Sequence, residues 1–141
     1  MNTKALLFAI LTSIIWGFVP IFDKIGIKGN PAPFASVCFR ALSIGIISFI
    51  ILVVTQNLNM VKEIPQKNLA FIILGGLFGG LIGVFTYFIA LKNGDASIVV
   101  PLCATYPLIT MLSSFLFLNE PITFTKIIGI GFIILGVILL R

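Results

Sequence analysis

The sequence contains no histidine and only two cysteines, Cys38 and Cys103. Histidine and cysteine are the usual ligands of zinc, haem and iron–sulfur centres, and the two cysteines lie far apart in apolar runs. We therefore expect no metal site, no other cofactor and no disulfide framework. The sequence also offers no set of residues for acyl-transfer, hydrolytic or redox chemistry, so we expect no catalytic residues and no enzymatic activity.

Charged residues are also scarce, at 9% of the 141 residues, whereas 60% are hydrophobic. An average soluble domain has about 25% charged and about 45–50% apolar residues. So few charges could not cover the surface of a soluble protein, and the composition predicts an all-α integral membrane protein. The formal net charge of +5 does not indicate nucleic-acid binding, because the Lys and Arg residues stand singly at the ends of apolar runs.

The charges divide the chain into five apolar runs, and each can supply the roughly 20 residues of a spanning helix. The first run has no small-residue cleavage site, so we interpret it as a span and not as a signal peptide. We predict one transmembrane domain over residues 1–141, and an odd number of spans places the two termini on opposite sides of the membrane. The five helices are expected at about residues 4–26, 33–55, 68–92, 96–119 and 122–141.

Polar and turn-forming residues mark the helix ends. Asp95 is a plausible cap for the fourth helix, and Thr123 or Thr125 can cap the fifth. The connections are short, so neighbouring helices should be antiparallel.

The positive charges are almost evenly divided between the two predicted sides, and the positive-inside rule needs an imbalance to fix an orientation. The balance favours insertion in both orientations; the alternative is that the first helix or the α-amino group selects one. The side of the N-terminus carries Lys4, Lys62, Lys67 and Lys126, and the other side carries Lys24, Lys28, Arg40, Lys92 and Arg141.

Glycines recur at regular intervals in the third and fifth predicted helices. Gly75, Gly79 and Gly83 are spaced by four residues, and Gly129 and Gly136 are separated by seven, so each set lies along one helix face. Small residues allow another helix backbone to approach closely. We predict that these five glycines contribute to helix packing or to a dimer contact, although the third-helix set could also allow sliding or bending.

The fourth run contains Pro101 and Pro107, with Tyr106 directly before the second of them. Bent helices often line substrate paths in transporters, but Pro107 could also be a tolerated kink. Trp16 lies deep in the first span, where it could stack on an organic substrate or pack against the glycine face of the third helix. Tyr87 and Tyr106 need partners for their hydroxyl groups if they are buried.

Charged side chains inside a bilayer are usually functional, and Arg40 is the best placed of them. It could hold an anionic group of a substrate, pair with Asp23, or extend to the membrane surface. No carboxylate lies in the middle of a span, so the sequence offers no obvious proton-coupling residue. The candidate substrate-binding residues are Trp16, Arg40, Tyr87, Tyr106 and Pro107.

Several short motifs occur in a specific order along the whole chain. They are Trp16-Gly17, Phe39-Arg40, Pro107, the run Leu118-Asn119-Glu120-Pro121-Ile122-Thr123, and Gly129 and Gly136 in a final apolar helix. In this order they resemble the EamA domain of the drug/metabolite transporter superfamily. The resemblance implies an all-α fold in which five transmembrane helices form one EamA-type repeat.

Typical members of that family carry two such repeats in opposite orientations. The resemblance therefore implies that two chains of one repeat each assemble into a homodimer, and the balanced charges favour an antiparallel one. The final helix is similar to the helix through which small multidrug resistance proteins dimerise. Those proteins have a central membrane glutamate that this sequence lacks.

The function that the resemblance implies is secondary transport by alternating access in the inner (plasma) membrane of a prokaryote. The expected partners are a small organic metabolite or drug as substrate, the lipid bilayer and a second copy of the chain. Two alternatives stay open: a non-transporting membrane subunit that pairs with another half-size protein, and a subunit of a lipid-linked sugar flippase.

Overall fold

The computed structural model describes residues 3–29 and 32–140, and the regular secondary structure in these ranges is entirely helical. Residues 1, 2, 30, 31 and 141 lie outside the described residues; they include both ends of the predicted domain and the last residue of the predicted fifth helix. The helical segments are, in chain order, α1 (Thr3–Gly26), α2 (Pro33–Val54), the short α3 (Leu58–Lys62), α4 (Gln66–Gly75), a π-helical segment (Gly76–Gly83), α5 (Val84–Asn93), α6 (Ala96–Cys103), α7 (Pro107–Leu118) and α8 (Phe124–Leu139).

Four stretches are long and apolar enough to cross a membrane: Thr3–Gly26, Pro33–Val54, Gln66–Asn93 and Ala96–Leu118. The third consists of α4, the π-helical segment and α5, and the fourth consists of α6 and α7. The prediction of an all-α membrane protein is thereby confirmed. Helix α8 is apolar but has only 16 residues, fewer than the roughly 20 of a straight crossing, so its crossing remains a prediction.

The third span is not the continuous α-helix that the sequence predicted, because residues Gly76–Gly83 form a π-helix. In a π-helix each N–H bonds to the carbonyl five residues earlier, so a residue and the one five positions before it lie close together. A Cβ atom added to Gly83 would lie only 3.1 Å from the carbonyl oxygen of Phe78, five residues before it. Glycine at this position therefore leaves room for the wider helix.

Few side chains are buried within the described part of the chain. The buried apolar ones are Pro20, Ile27, Val37, Phe88, Leu91 and Val99, and almost none of the four spans is covered by other parts of the chain. In a bilayer, such apolar surfaces are covered by lipid or by the helices of another subunit.

The chain forms two compact units, of which one is Phe22–Lys92. Its core lies where the last turns of α1, the first turns of α2 and the end of α5 meet, and Val37 and Leu91 are fully buried there. Phe34 and Phe85 pack edge to face with ring centroids 5.9 Å apart. Helix α2 also contacts the π-helical segment.

The other unit comprises Met1–Ile21 and Asn93–Arg141. In it α6 contacts α8, and the Thr123 hydroxyl accepts a hydrogen bond from the N–H of Lys126 at 3.4 Å, as expected for a cap of α8. Asp95 occupies the position before α6, but its backbone carbonyl, and not its side chain, accepts hydrogen bonds from the first turn. Helix α6 therefore begins directly after Asp95 without the expected side-chain cap, whereas α8 begins at Phe124 with Thr123 as its cap.

Candidate functional site

The fourth span is broken between α6 and α7, at residues 104–106. Pro107 is the first residue of α7, and because it has no N–H it cannot donate to the carbonyl of Cys103. The N–H of Tyr106 donates to that carbonyl instead, at 3.2 Å. The Tyr106 carbonyl accepts from both the N–H and the hydroxyl of Thr110, at 2.9 and 3.2 Å. Pro107 is thus the first residue of a second helix, whereas the sequence analysis had considered a bend that lines the substrate path or a tolerated kink.

The break also changes the bonding of two backbone carbonyls. The N–H of Thr105 donates to the carbonyl oxygen of Leu102 at 3.3 Å, and the N–H of Leu108 donates to the carbonyl oxygen of Thr105 at 3.1 Å. In a continuous α-helix the N–H groups of Thr105 and Leu108 would instead bond to the carbonyl oxygens of Pro101 and Ala104. Those two carbonyl oxygens are therefore released from helical bonding. Irregular backbone at membrane depth is tolerated where it is buried in protein or lines a cavity, and such carbonyls can coordinate substrates or ions.

A cleft of about 220 Å³ lies beside this break. Helix α7, the following loop and the start of α8 form its walls. It is smaller than the roughly 300–1,000 Å³ of pockets for drug-sized molecules, so it suits a small solute. The lining residues are Tyr106, Pro107, Thr110, Met111, Ser114, Glu120, Pro121, Ile122 and Lys126.

Two opposite charges flank the cleft. The Lys126 ammonium lies 4.0 Å from a carboxylate oxygen of Glu120, and both side chains are about half exposed. An exposed pair at this distance is worth little, and Lys126 also donates to the carbonyl of Pro121 at 3.0 Å. Both charged groups therefore remain able to bind polar parts of a solute.

The chain reverses direction between α7 and α8 in a way that shapes the cleft. Asn119 adopts a left-handed conformation with φ of 55° and ends α7. The N–H of Glu120 donates to the carbonyl of Ser114 at 3.2 Å. Asparagine tolerates this conformation better than most residues. The turn brings Glu120, Pro121 and Ile122 back against α7.

Of the five predicted substrate-binding residues, Tyr106 and Pro107 line this cleft. Trp16 lies on α1, where 64% of its surface is exposed. The aromatic pairs found among residues 3–29 and 32–140 do not include Trp16. A contact between Trp16 and a substrate stays a prediction.

Arg40 and Tyr87 belong to the Phe22–Lys92 unit. Arg40 is paired with Asp23, one of the three roles that its position in the sequence left open. Tyr87 is partly buried and packs edge to face against Phe88, with ring centroids 6.4 Å apart. Substrate contacts of Arg40 and Tyr87 therefore also remain predictions.

The predicted contact glycines have open space around them. A Cβ atom added to Gly75, Gly79, Gly129 or Gly136 would meet nothing within 4 Å in the described structure, and only Gly83 would meet its own helix backbone. Glycine at these four positions is therefore not required for another segment of the described chain to approach closely. Their role in a dimer contact stays a prediction.

The sequence analysis did not include the other seven lining residues among its substrate-binding residues, namely Thr110, Met111, Ser114, Glu120, Pro121, Ile122 and Lys126. A signal was present for the α7 residues, because Pro107, Met111 and Ser114 recur at the spacing of one helix face. Pro121 and Ile122 carry no such signal, since the left-handed turn at Asn119 brings them to the cleft. Within the described ranges, no three His, Cys, Asp or Glu side chains lie together as metal ligands would.

The comparison with known proteins agrees with this arrangement of broken, apolar helices. Residues 3–141 match the EamA-like transporter family. The chain belongs to this family. No solved structure matches this EamA-family chain.

Three relatives show the range of lengths among similar proteins. An uncharacterized protein of Methanocaldococcus jannaschii is 34% identical over 96% of the EamA-family chain and 95% of its own length. An uncharacterized transporter of a Sinorhizobium species is 30% identical, covering 94% and 92%. An uncharacterized transporter of Clostridium kluyveri is 25% identical over 94% of the chain, but over only 42% of its own length. The chain thus aligns with less than half of this longer relative.

Proposed function

We propose that this EamA-family protein is a secondary transporter that moves a small organic solute across a prokaryotic plasma membrane by alternating access. The observation that carries the proposal is the break in the fourth span at Tyr106–Pro107, together with the cleft beside it. Discontinuous helices commonly form the binding sites of transporters, because helix ends and released carbonyls can face the solute. Two relatives named as transporters support the same function.

The cleft supports a small, partly polar substrate. Tyr106 offers an aromatic face and a hydroxyl group, while Glu120 and Lys126 offer one charge of each sign. Pro107 shapes the wall by starting α7 at this point. The remaining predicted residues, Trp16, Arg40 and Tyr87, are proposed as further substrate-binding residues of the assembled transporter.

The working unit that we propose is an antiparallel homodimer. Three observations support it: the chain aligns with only 42% of the clostridial transporter, its Lys and Arg residues are nearly balanced between the two predicted sides, and its spans have little cover within the chain. In this dimer α8 completes a fifth crossing, the termini lie on opposite sides, and the faces of Gly129 and Gly136 contact the second copy.

Transport can be tested with the purified chain alone. Proteoliposomes would be loaded with a metabolite extract, and mass spectrometry would follow which solutes leave them faster than protein-free vesicles. We expect at least one solute to be released, and we expect Tyr106→Ala to slow its release about tenfold or more. Phe117→Ala is the matched control, because Phe117 is an aromatic residue of α7, the helix that follows Tyr106, and is 81% exposed and outside the cleft.

Two results would contradict the proposal in different ways. If both variants slow release equally, the cleft is not the substrate site. If the chain releases no solute alone but does so with a second membrane protein, the working unit is a hetero-pair. The alternative of a subunit that needs another half-size partner would then take its place.

The antiparallel arrangement can be tested by labelling. In a variant with Cys38→Ser and Cys103→Ser, single cysteines would be introduced as Gln66→Cys or Asn93→Cys, which leave the Lys and Arg balance unchanged. These positions lie at opposite ends of the span Gln66–Asn93 and are exposed. With dual insertion, a membrane-impermeant maleimide labels both variants partially from outside intact cells. Labelling of only one variant would show a single orientation and would rule out the antiparallel homodimer.

A further inference from the structure

Three lysines line one pocket of about 300 Å³ in the Phe22–Lys92 unit. Lys24 lies in the last turn of α1, Lys28 follows that helix, and Lys92 lies in the last turn of α5. The pocket floor is apolar, because the remaining lining residues are the buried Ile27 and Leu91. We call this site the lysine pocket.

None of the described residues that line the lysine pocket is acidic. Asp23 adjoins Lys24 in sequence, but both of its carboxylate oxygens accept hydrogen bonds from Arg40 at 2.8 Å. Lys24 donates to the carbonyl of Leu91 and so connects the ends of α1 and α5. The described lining of the pocket therefore brings three lysines together and includes no carboxylate.

The positions of these lysines have a simpler partial explanation, which does not account for the pocket. A cation in the last turn of a helix is stabilised by the helix dipole, and this applies to Lys24 and to Lys92 separately. It does not apply to Lys28, which lies beyond α1. Nor does it explain why the three side chains share one cavity.

The lysine pocket lies where the apolar spans Thr3–Gly26 and Gln66–Asn93 both end, which is the level of lipid headgroups. Basic pockets at the ends of transmembrane helices bind anionic headgroups, and lysine binds phosphate as a compact point charge. We infer that the lysine pocket binds a phosphate group, carried by an anionic lipid headgroup or by a soluble phosphate compound.

The test uses the full chain in nanodiscs of phosphatidylcholine with a minor fraction of phosphatidylglycerol. Native mass spectrometry would measure how much phosphatidylglycerol stays bound after release from the nanodisc. The pocket variant is Lys28→Gln with Lys92→Gln, which leaves the Lys24 contact to Leu91 in place. The matched control is Lys62→Gln with Lys67→Gln, which removes the same charge from the same unit outside the pocket.

We expect the pocket variant to bind the anionic lipid about 30-fold more weakly than the wild type, because each of the two lysines near a membrane surface contributes about fivefold. The control variant should change little. Equal weakening in both variants would show general attraction between a positive protein and a negative membrane, and would overturn the inference. The single variant Lys28→Gln, at an exposed position beyond α1, tests the same point if the double variant folds poorly.

A second arm separates the two sources of phosphate. Excess inorganic phosphate would be added to the nanodiscs before the measurement. Displacement of the lipid from the wild type, without any effect on the pocket variant, assigns the pocket to soluble phosphate compounds. Retention of the lipid assigns it to headgroups. A wild type that binds neither phosphatidylglycerol nor phosphate would overturn the inference.

Discussion

Arg40 donates from one guanidinium nitrogen to both carboxylate oxygens of Asp23, each at 2.8 Å. The pair joins α2 to the C-terminal turns of α1 within the Phe22–Lys92 unit. The Asp23 side chain is only 12% exposed, whereas that of Arg40 is 33% exposed. Hydrogen bonds between charged groups are stronger than neutral ones, so the pair helps to fix the connection between the first two spans.

Removing either member of this pair should destabilise the protein. Asp23→Asn or Arg40→Gln leaves a partly buried charge without its partner. Full burial would make such a loss worth about 3–5 kcal/mol, but solvent reaches Arg40, so we expect a decrease of about 1–3 kcal/mol in the free energy of unfolding. Chemical denaturation in detergent micelles measures this decrease.

The reversed pair, Asp23→Arg with Arg40→Asp, separates a structural role of Arg40 from binding of a substrate. It should recover part of the lost stability, because the opposite charges are again adjacent. If it also recovers transport, Arg40 acts through the ion pair alone. If transport stays lost while stability returns, the guanidinium itself is needed at position 40.

The break in the fourth span should depend on Pro107. Pro107→Ala supplies the N–H that a continuous helix needs, so we expect slower amide hydrogen exchange at Thr105 and Tyr106. We also expect slower transport, because the released carbonyls return to helical bonding. Pro101→Ala is the control, since Pro101 lies inside α6 and its replacement leaves the break in place. Unchanged exchange in Pro107→Ala would show that the proline does not maintain the break.

Gly83 and Gly79 should respond differently to alanine. A Cβ at Gly83 would lie 3.1 Å from the Phe78 carbonyl oxygen, whereas one at Gly79 would meet nothing within 4 Å. Alanine favours a helix over glycine by about 1 kcal/mol, so Gly79→Ala should be neutral or stabilising. Gly83→Ala should lose that gain, because the backbone must shift away from the π-helical geometry. Thermal unfolding in detergent, followed by circular dichroism, compares the two.

Equal stability of these two variants would contradict the tight contact at Gly83. The same pair also tests the predicted dimer contact. If Gly79→Ala stays folded but no longer forms the dimer, the glycine face of the third span lies at the contact between the two copies.

Thr86 should stabilise the end of the π-helical segment. Its hydroxyl donates to the carbonyls of Gly83 and Ile82, at 2.9 and 3.2 Å, where the backbone returns to α-helical bonding. Thr86→Val removes the hydroxyl at nearly constant volume, and we expect a loss of about 0.5–1.5 kcal/mol in the free energy of unfolding.

Thr12→Val provides the comparison for Thr86→Val, because Thr12 donates to the carbonyl of Phe8 at 2.8 Å in the middle of α1. In a regular helix that carbonyl keeps its backbone partner, so the loss should be smaller. A loss at Thr12 equal to that at Thr86 would show that the π-helical segment gains no special stability from its hydroxyl.

A small part of the candidate site was visible in the sequence as individual residues. Pro107 was selected because bent helices often line substrate paths, and Tyr106 because a buried tyrosine needs a partner for its hydroxyl group; both line the cleft. The cleft as a whole was not visible, because it depends on Ile122 and Lys126 returning to α7 after the left-handed turn at Asn119. Such a return joins residues that share no helix face.

The amino-acid sequence by itself determined that this protein is helical and belongs in a membrane. Apolar runs that long can satisfy their backbone groups in lipid only as helices, and local signals such as Thr123 set where those helices begin. Only the tertiary structure decided the partner of Arg40, the π-helical bonding around Gly83 and the pocket shared by Lys28 and Lys92. These features depend on distances between segments or on small shifts in backbone bonding, which the order of residues alone does not fix.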